Sequence, residues 1–294
     1  MRAWPAWVAV AAALMGVLGC RQAQPVVRPM QPVERGPAPG YAEAAAGYNA
    51  RVAPLERLWV LINGSKLRYV DREGERREEQ GDGVCQYVRP SMVLVTLRKY
   101  GQVGMLLGSD EQRYWWIDVQ NRPYRAYVGR HEHATAERIE ATGLKVHPLD
   151  FVDLLGLTAL PAAGGETAWA ADGSGLEVKV AGRDGSGVRR LVLDPKTWDP
   201  VRIEVLDGAG RVLASSMLSD FARVSVRGAG PDTPRPRVPL KVTLDVDGGS
   251  TQVMLNLDQP QDDPSRLRAR VFDFEKLVEG YGVEEVIDLD RRPE

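Results

Sequence analysis

The sequence predicts an α+β fold, mainly antiparallel β, in which a curved sheet forms a half-open β-barrel with helices covering its concave face. Two observations predict the strands. Thirty glycines and 20 prolines separate many short apolar runs in the 294 residues, and several of these runs alternate apolar with polar residues, as strands with one dry and one wet face do. A few stretches with helical spacing predict the helices.

The alternation is clearest in four runs of the chain. In each run the apolar residues would face one side of a sheet, and the polar residues between them would face the other. The runs are Val93 to Leu97, Val201 to Val205, Leu240 to Val246 and Val253 to Leu257.

Turn signals lie beside the alternating runs. Asp-Gly pairs, which favour tight hairpin turns, stand at 82–83, 172–173, 184–185, 207–208 and 247–248. A further hairpin is predicted where the strand Trp59 to Ile62 ends at Asn63-Gly64 and returns through Leu67 to Val70. Such short intervals between strands indicate an antiparallel meander that curls toward a barrel.

The predicted helices are few and short. Two of them cover residues 134–141 and 148–155, the second with Pro148 in its first turn and Gly156 after its end. An earlier helix, which Pro54 should end, is predicted by apolar residues that recur every three or four positions: Tyr41, Ala45, Tyr48, Val52 and Leu55. Because no second sheet is predicted, these helices should pack on the dry concave face of the same sheet.

The first twenty residues predict a lipoprotein signal peptide, residues 1–19, followed by a lipidated cysteine. Arg2 is positively charged, and the apolar residues 3–18 form a signal-peptide core that is too short for a comfortable membrane span. The core ends in Val17-Leu18-Gly19-Cys20, the pattern of a lipobox. We therefore expect cleavage between Gly19 and Cys20, and acyl chains such as palmitate on Cys20, which would bind the protein to a membrane.

Other interpretations of this segment stay open. It could be an ordinary secretory signal with a chance cysteine at its end, or an uncleaved anchor helix, which the early charge of Arg21 disfavours. An unmodified Cys20 could also form a disulfide with Cys85, the second of the two cysteines. If the lipobox is used, Arg21 in place of Asp favours the outer membrane under the sorting rule of enteric bacteria. We therefore expect a location in the cell envelope, on the outer membrane facing the periplasm.

A proline-rich tether is predicted between the lipidated cysteine and a single domain at 41–294. Residues 20–40 hold almost no large apolar residue and contain prolines at 25, 29, 32, 37 and 39. Such a segment should be extended and disordered. A second proline-rich stretch, 227–239, is predicted to be a loop because strands resume on both sides of it.

The composition and motifs argue against several function classes. The net charge of −2 gives no basic footprint for nucleic acid, and the chain has no Gly-x-Ser-x-Gly, Walker A or His-Glu-x-x-His motif. The cluster His131-Glu132-His133 hints at a metal, but an exposed polar turn is the preferred interpretation, and His147 is interpreted as a helix entry. We therefore predict no catalytic residues, no metal site, no cofactor and no enzyme activity.

Two aromatic neighbours and a cysteine are predicted to have packing roles. On a strand, Trp115 and Trp116 would point to opposite faces, so that one ring lies in the core and the other at the surface or at the mouth of a cavity. Cys85 lies between Val84 and Tyr87 and is expected to be packed rather than reactive.

Six stretches, in this order along the chain, carry a resemblance to a known family. They are Tyr48 to Trp59, Arg89 to Leu97, Ser109 to Trp116, Pro148 to Leu157, Arg190 to Val201, and Phe272 with Val286 to Leu289. The best match is Arg190 to Val201, which has the pattern of two strands joined by an Asp-Pro and Trp turn. Together the stretches resemble the LolA/LolB-like outer-membrane lipoprotein carrier fold, and especially its membrane-anchored lipoprotein members.

The resemblance implies a half-open barrel with helices as a lid over an apolar cavity, which in the carrier proteins holds the acyl chains of lipoproteins. We therefore predict a monomer that binds lipid or lipoprotein acyl chains and acts in lipid or lipoprotein trafficking to the outer membrane. The alternative is a structural or sensory lipoprotein in which the same side chains fill a closed core and the partner is a protein. The side chains predicted to line the cavity are Trp59, Leu61, Val93, Val95, Leu97, Val201 and Ile203.

Overall fold

A computed structural model of the protein describes residues 36–70, 74–140, 146–183, 187–226, 230 and 235–291. The predicted signal peptide, Cys20, most of the tether and the Asp-Gly pair at 184–185 lie outside these residues. The predicted domain boundaries stay predictions.

The described residues contain fifteen strands and four α-helices. The helices are α1 (Tyr41–Val52), α2 (Ala136–Glu140), α3 (Pro148–Leu154) and α4 (Phe274–Tyr281). The strands are β1 (Arg57–Val70), β2 (Arg76–Val88), β3 (Met92–Lys99), β4 (Gln102–Ser109), β5 (Arg113–Asp118), β6 (Arg125–Arg130), β7 (Glu166–Trp169), β8 (Leu176–Ala181), β9 (Val188–Leu193), β10 (Pro200–Leu206), β11 (Val212–Arg223), β12 (Ser225–Val226), β13 (Arg237–Val246), β14 (Thr251–Asp262) and β15 (Glu285–Asp288). Across this part of the chain, no helix has the length and apolar character that a membrane crossing requires.

All these strands belong to one sheet. Its order is β15-β6-β5-β4-β3-β2-β1-β14-β13-β11-β10-β9-β8-β7, with β12 paired to β14 outside this path. The pairs are antiparallel except β15 with β6 and β12 with β14. The predicted α+β, mainly antiparallel fold is confirmed. The sheet is not closed into a barrel, because within the described residues β7 and β15 stand at its two ends and each has one neighbour.

The main core lies on one face of the sheet, which we call the first face. Helices α1 and α3 pack there through Tyr48, Val52, Val152 and Leu154, each at most 1 % exposed. The strands contribute every second residue, for example Leu58, Val60 and Ile62 of β1. Each fully buried aliphatic side chain of this kind stabilises the fold by about 1.5–3 kcal/mol.

The opposite face, the second face, is covered as well. Trp115 and Ile117 of β5 pack there against Phe274 and Leu277 of α4. The side chain of Asp273 caps α4 by accepting a hydrogen bond from the backbone N–H of Lys276 at 3.1 Å. Helix α4, which the sequence analysis did not predict, therefore packs on the other side of the sheet from α1 and α3.

Two predicted turns lie inside strands instead. Strand β1 continues through Asn63-Gly64, where its pairing with β2 and β14 shifts register, so the predicted hairpin at this place was wrong. Asp82-Gly83 lies within β2, and a Cβ atom at Gly83 would be 2.0 Å from the carbonyl oxygen of Thr96. Glycine is therefore needed there for the close approach of β3 and not for a turn. The Asp-Gly pairs at 172–173, 207–208 and 247–248 do lie between paired strands.

Candidate functional site: a cavity beside helix α3

An apolar cavity of about 440 Å³ lies between the start of α3 and the hairpin of β10 and β11. We call it the α3 cavity. His147, Asp150 and Arg211 place polar groups at its wall, and the turn at Asp247 and Gly248 borders it. Its apolar lining consists of Ile139, Val146, Val205, Val212, Leu213 and Ala214.

Part of this apolar lining is open to solvent. Val212 and Leu213 are each 41 % exposed, although both are large aliphatic residues. Such side chains at the mouth of a cavity favour an apolar ligand that would cover them. A larger cavity of about 670 Å³, at the tips of β1 and β2, is lined mainly by charged and polar residues such as Arg68, Arg76 and Glu78, and does not suit such a ligand.

Four of the seven side chains predicted to line a cavity lie on the first face. Val93, Val95 and Ile203 are at most 4 % exposed and belong to the main core, where they fill space between the sheet and the helices. Leu97 is partly buried and packs against the same core.

The other three predicted residues lie elsewhere. Trp59 and Leu61 alternate with the core residues of β1 and so lie on the second face, where the guanidinium of Arg266 stacks 4.2 Å from the centroid of the Trp59 ring. Val201 is half-buried at a shift in register between β9 and β10. None of the seven is among the lining residues of the α3 cavity.

Helix α3 is held at its C-terminal end by polar contacts from two elements, α1 and β11. The hydroxyl of Tyr48 donates a hydrogen bond to the carbonyl oxygen of Gly156 at 3.0 Å, and Arg51 donates to the same oxygen. The hydroxyl of Ser216 donates to the carbonyl oxygen of Leu154 at 2.7 Å. These bonds satisfy carbonyl groups that a helix end would otherwise leave unpaired.

A buried ion-pair cluster fixes the last turn of α3. The carboxylate of Asp153 accepts hydrogen bonds from Arg189 at 2.6 Å and from Arg183 at 2.8 Å. The side chains of Asp153 and Arg189 are 7 % and 9 % exposed. Arg183 also donates to the carbonyl oxygen of Leu149 at 2.9 Å, so the cluster ties the helix to the β8–β9 hairpin.

A histidine pair lies at the N-terminal end of α3. His131 and His133 stand in a 3₁₀ turn after β6, so they do not share the face of a strand. The turn brings Nδ1 of His131 to 3.3 Å from Nε2 of His147, and the ring of Tyr114 lies 4.7 Å from that of His147 between centroids. Sequence reasoning kept the two histidines apart because sixteen residues separate them.

Hydrogen bonds assign the tautomers of this pair. The backbone N–H of Leu149 donates to Nδ1 of His147 at 3.1 Å, so the proton of the neutral ring is on Nε2. That proton is donated to Nδ1 of His131, whose Nε2–H donates to the carbonyl oxygen of Asp110 at 2.9 Å. Burial, followed by the nearby His131 and Arg183, lowers the pKa of His147 to about 3. The ring is therefore neutral near pH 7.

This arrangement does not suit a metal ion. A ligating histidine nitrogen needs a free lone pair, and Nε2 of His147 carries a proton while Nδ1 already accepts a hydrogen bond. Within the described residues no group of three or more His, Cys, Asp or Glu side chains is placed to hold a metal.

Trp115, Trp116 and Cys85 have the predicted packing roles. Trp115 is 1 % exposed in the core of the second face, while Trp116 packs against the first-face core, so the two rings point to opposite faces. Cys85 is 1 % exposed, and burial raises the pKa of its thiol to about 12. The thiol is therefore protonated near neutral pH and unreactive.

Comparisons with known proteins support the fold. No protein-family model matches the chain, and no curated protein matches it either. Among solved structures, a domain described as an outer membrane lipoprotein-sorting protein domain from Vibrio parahaemolyticus is similar with a TM-score of 0.50 and 11 % identity, over 80 % of this chain and 97 % of that chain. A DUF1329 family protein from Desulfovibrio piger is similar with a TM-score of 0.51 and 11 % identity, over 80 % of this chain and 98 % of that chain.

A LolA superfamily protein from Nitrosomonas europaea also matches, with a TM-score of 0.45 and 12 % identity, over 78 % of this chain and 97 % of that chain. At these identities a likeness concerns the fold and not the activity. The predicted resemblance is confirmed at this level: the protein has a LolA-like fold.

Proposed function

We propose that the protein is a membrane-anchored lipoprotein that binds an acyl chain of a lipid or lipoprotein in the α3 cavity and has a non-enzymatic, carrier-type role in the cell envelope. The observation that carries this proposal is the apolar cavity of about 440 Å³ beside α3. The LolA-like fold supports a carrier-type role in general.

The size and lining of the cavity fit a hydrocarbon chain. Ligand sites in proteins usually measure about 300–1,000 Å³, and the α3 cavity lies within this range. Burying about ten methylene groups at about 0.8 kcal/mol each gives about 8 kcal/mol. That free energy corresponds to a dissociation constant of about 1 μM before ordering costs.

The anchoring part of the proposal rests on the sequence. Acyl chains on Cys20 would hold the protein on the outer membrane, facing the periplasm. Thr167 and Trp169 of β7 donate hydrogen bonds to the carbonyl oxygens of Pro39 and Gly36, so the free tether would be residues 21–35, which would reach about 45 Å at about 3.1 Å per residue. A monomer without a cofactor would then carry or receive its ligand close to the membrane surface.

The anchor is tested by replacing Cys20 with serine. We expect Cys20→Ser to abolish incorporation of labelled palmitate and to move the protein out of the membrane fraction, because serine cannot accept the diacylglyceryl group as a thioether. The measurements are metabolic labelling and cell fractionation, and Cys85→Ser is the matched control, which should keep the label. Label that persists in Cys20→Ser would disprove lipidation at this position.

Ligand binding is tested on a soluble form that starts at Arg21. Organic extraction and mass spectrometry should find stoichiometric lipid, and a fluorescent fatty acid should bind saturably. Leu213→Glu is expected to weaken that binding at least 10-fold, because it puts a charge into the apolar wall of the cavity. Leu213 is 41 % exposed, so the fold should tolerate the change, whereas Val95 at 4 % exposed would not.

The matched control lies on the same strand. Met217 of β11 is 52 % exposed and does not line the cavity, so Met217→Glu should leave fatty-acid binding unchanged. Equal loss of binding in both variants would show that the α3 cavity is not the binding site.

The alternative function, a structural or sensory lipoprotein with a protein partner, is favoured by one observation. Val93, Val95 and Ile203 fill the first-face core at no more than 4 % exposure instead of lining an open barrel. If the soluble form carries no lipid and binds no fatty acid, cross-linking in cells followed by identification of a stoichiometric protein partner would support this alternative.

A further inference from the structure

A continuous chain of hydrogen bonds runs from the surface to the first turn of α3. It passes from the backbone N–H of Leu149 to His147, from His147 to His131, and from His131 to the carbonyl oxygen of Asp110. Each ring accepts at Nδ1 and donates at Nε2. Every bond therefore depends on the protonation state of the next ring.

We infer that this relay is a pH-sensitive switch: a proton taken up by His131 breaks the cap of α3 and releases the first turn of the helix. His131 is the entry point because it is half-buried in an exposed turn, whereas His147 is 6 % exposed. Burial keeps the pKa of His147 near 3, so His147 does not compete for the proton at mildly acidic pH.

The coupling follows from the lone pairs. A proton can add to neutral His131 only at Nδ1, the atom that accepts the hydrogen bond from Nε2–H of His147. Two N–H groups then face each other. If His147 responds by moving its proton to Nδ1, it can no longer accept the hydrogen bond from Leu149, and if the ring turns away, the cap is lost as well.

Charged and titratable groups surround the relay, and they disfavour a charge on His147. Arg183, from the β8–β9 side, disfavours a charge on His147. Tyr114 packs against both rings, and Asp150 stands in the first turn of α3. Around His131, the carboxylate of Asp110 is paired with Arg113 at 3.2 Å.

The 3₁₀ turn and the C-terminal segment add charges of both signs. Glu132 lies in the turn, His133 is 3.4 Å from Asp290, and Arg130 and Arg138 stand on either side of the turn. None of these groups replaces the acceptor that His147 provides to Leu149.

Release of the cap would change the α3 cavity directly. His147 and Val146 are both part of its wall, and Asp150 of the first turn is another part. A mildly acidic medium would then loosen this wall and promote exchange of a bound ligand. This consequence, unlike the switch itself, rests on the proposed function.

The switch is tested by hydrogen–deuterium exchange on the full chain, without added ligand. After correction for the intrinsic exchange rate, protection of the amide of Leu149 should fall at least 10-fold between pH 7.5 and pH 5. In His131→Asn, whose side-chain oxygen can still accept from His147 but does not titrate, the fall should disappear. The matched control His133→Asn should keep it.

Protection that is independent of pH in the wild-type chain, or that falls equally in His131→Asn, would overturn the inference. A second measurement does not depend on any variant: nitrogen chemical shifts should show the Nε2–H tautomer for both rings at pH 7.5, and an Nδ1–H tautomer in either would overturn it too. Neither measurement involves lipid, so failure of the switch and failure of lipid binding are separate results.

Discussion

Replacing Asp153 with leucine is expected to lower the free energy of unfolding by about 3–5 kcal/mol. Leucine is larger than aspartate and has a higher helix propensity, so the expected loss comes from the missing carboxylate, which pairs with Arg189 at 2.6 Å and Arg183 at 2.8 Å. Arg189 is 9 % exposed and would be left as a buried charge whose one remaining hydrogen bond within the described residues is long, 3.4 Å to the carbonyl oxygen of Ala159. Urea denaturation followed by tryptophan fluorescence measures the loss.

The loss of unfolding free energy comes from the unpaired charge of Arg189, so a second substitution that removes this charge should restore stability. The double variant Asp153→Leu with Arg189→Met replaces the buried pair by apolar groups and should regain most of the lost stability, since such replacements are often neutral. The control is Lys241→Ala, which removes a solvent-exposed pair with Asp220 at 2.7 Å and should change the free energy of unfolding little. If the double variant is no more stable than Asp153→Leu, the loss has another cause.

The strands could be predicted from the sequence because their periodicity is local. Alternation in Val93 to Leu97 and in Leu240 to Val246 places every second side chain on one face, and both segments lie in strands, β3 and β13. The helix at Pro148–Leu154 could be predicted equally well, because proline in its first turn and glycine after its end are local signals. Gly156 has a φ of +69°, a conformation that favours glycine.

The errors arose where one signal has two physical meanings. A glycine next to Asn or Asp favours a hairpin turn, but it also permits close approach of a neighbouring strand, which is its role at Gly83. Helix α4 was not predicted although local signals mark it: Asp273 caps its start, and Gly282 with φ of +64° follows its end. Its position on the second face depends on contacts with β5, about 160 residues away in sequence.

The candidate site was the least predictable part. Its apolar walls come from separate segments, including Val146 near α3 and Leu213 on β11, and the relay joins His131 to His147 only after folding. A single sequence contains no local signal for contacts between segments that are far apart along the chain. The alternation of side chains along each strand does not say which face of the sheet a given residue occupies. Trp59 and Val93 were therefore assigned to the same face, although β1 and β3 turn them toward opposite faces.

A second large effect is expected from pH. The pKa of His147 is lowered to about 3, mainly by burial, while an unfolded histidine titrates near about 6.5. Between these two values the unfolded chain binds one proton more than the folded chain, so acid favours unfolding and stability falls as the pH falls. The contribution of His147 should fall by up to about 2 kcal/mol between pH 7 and pH 5, at about 1.4 kcal/mol per pH unit below its unfolded pKa.

The contribution of His147 is isolated by comparison with His147→Asn, because asparagine caps a helix well but does not titrate. Urea denaturation from pH 7.5 to pH 4.5 should give a stability curve that falls more steeply for the wild-type chain than for the variant, while His133→Asn follows the wild type. Curves of equal steepness would show that His147 is not held neutral by burial.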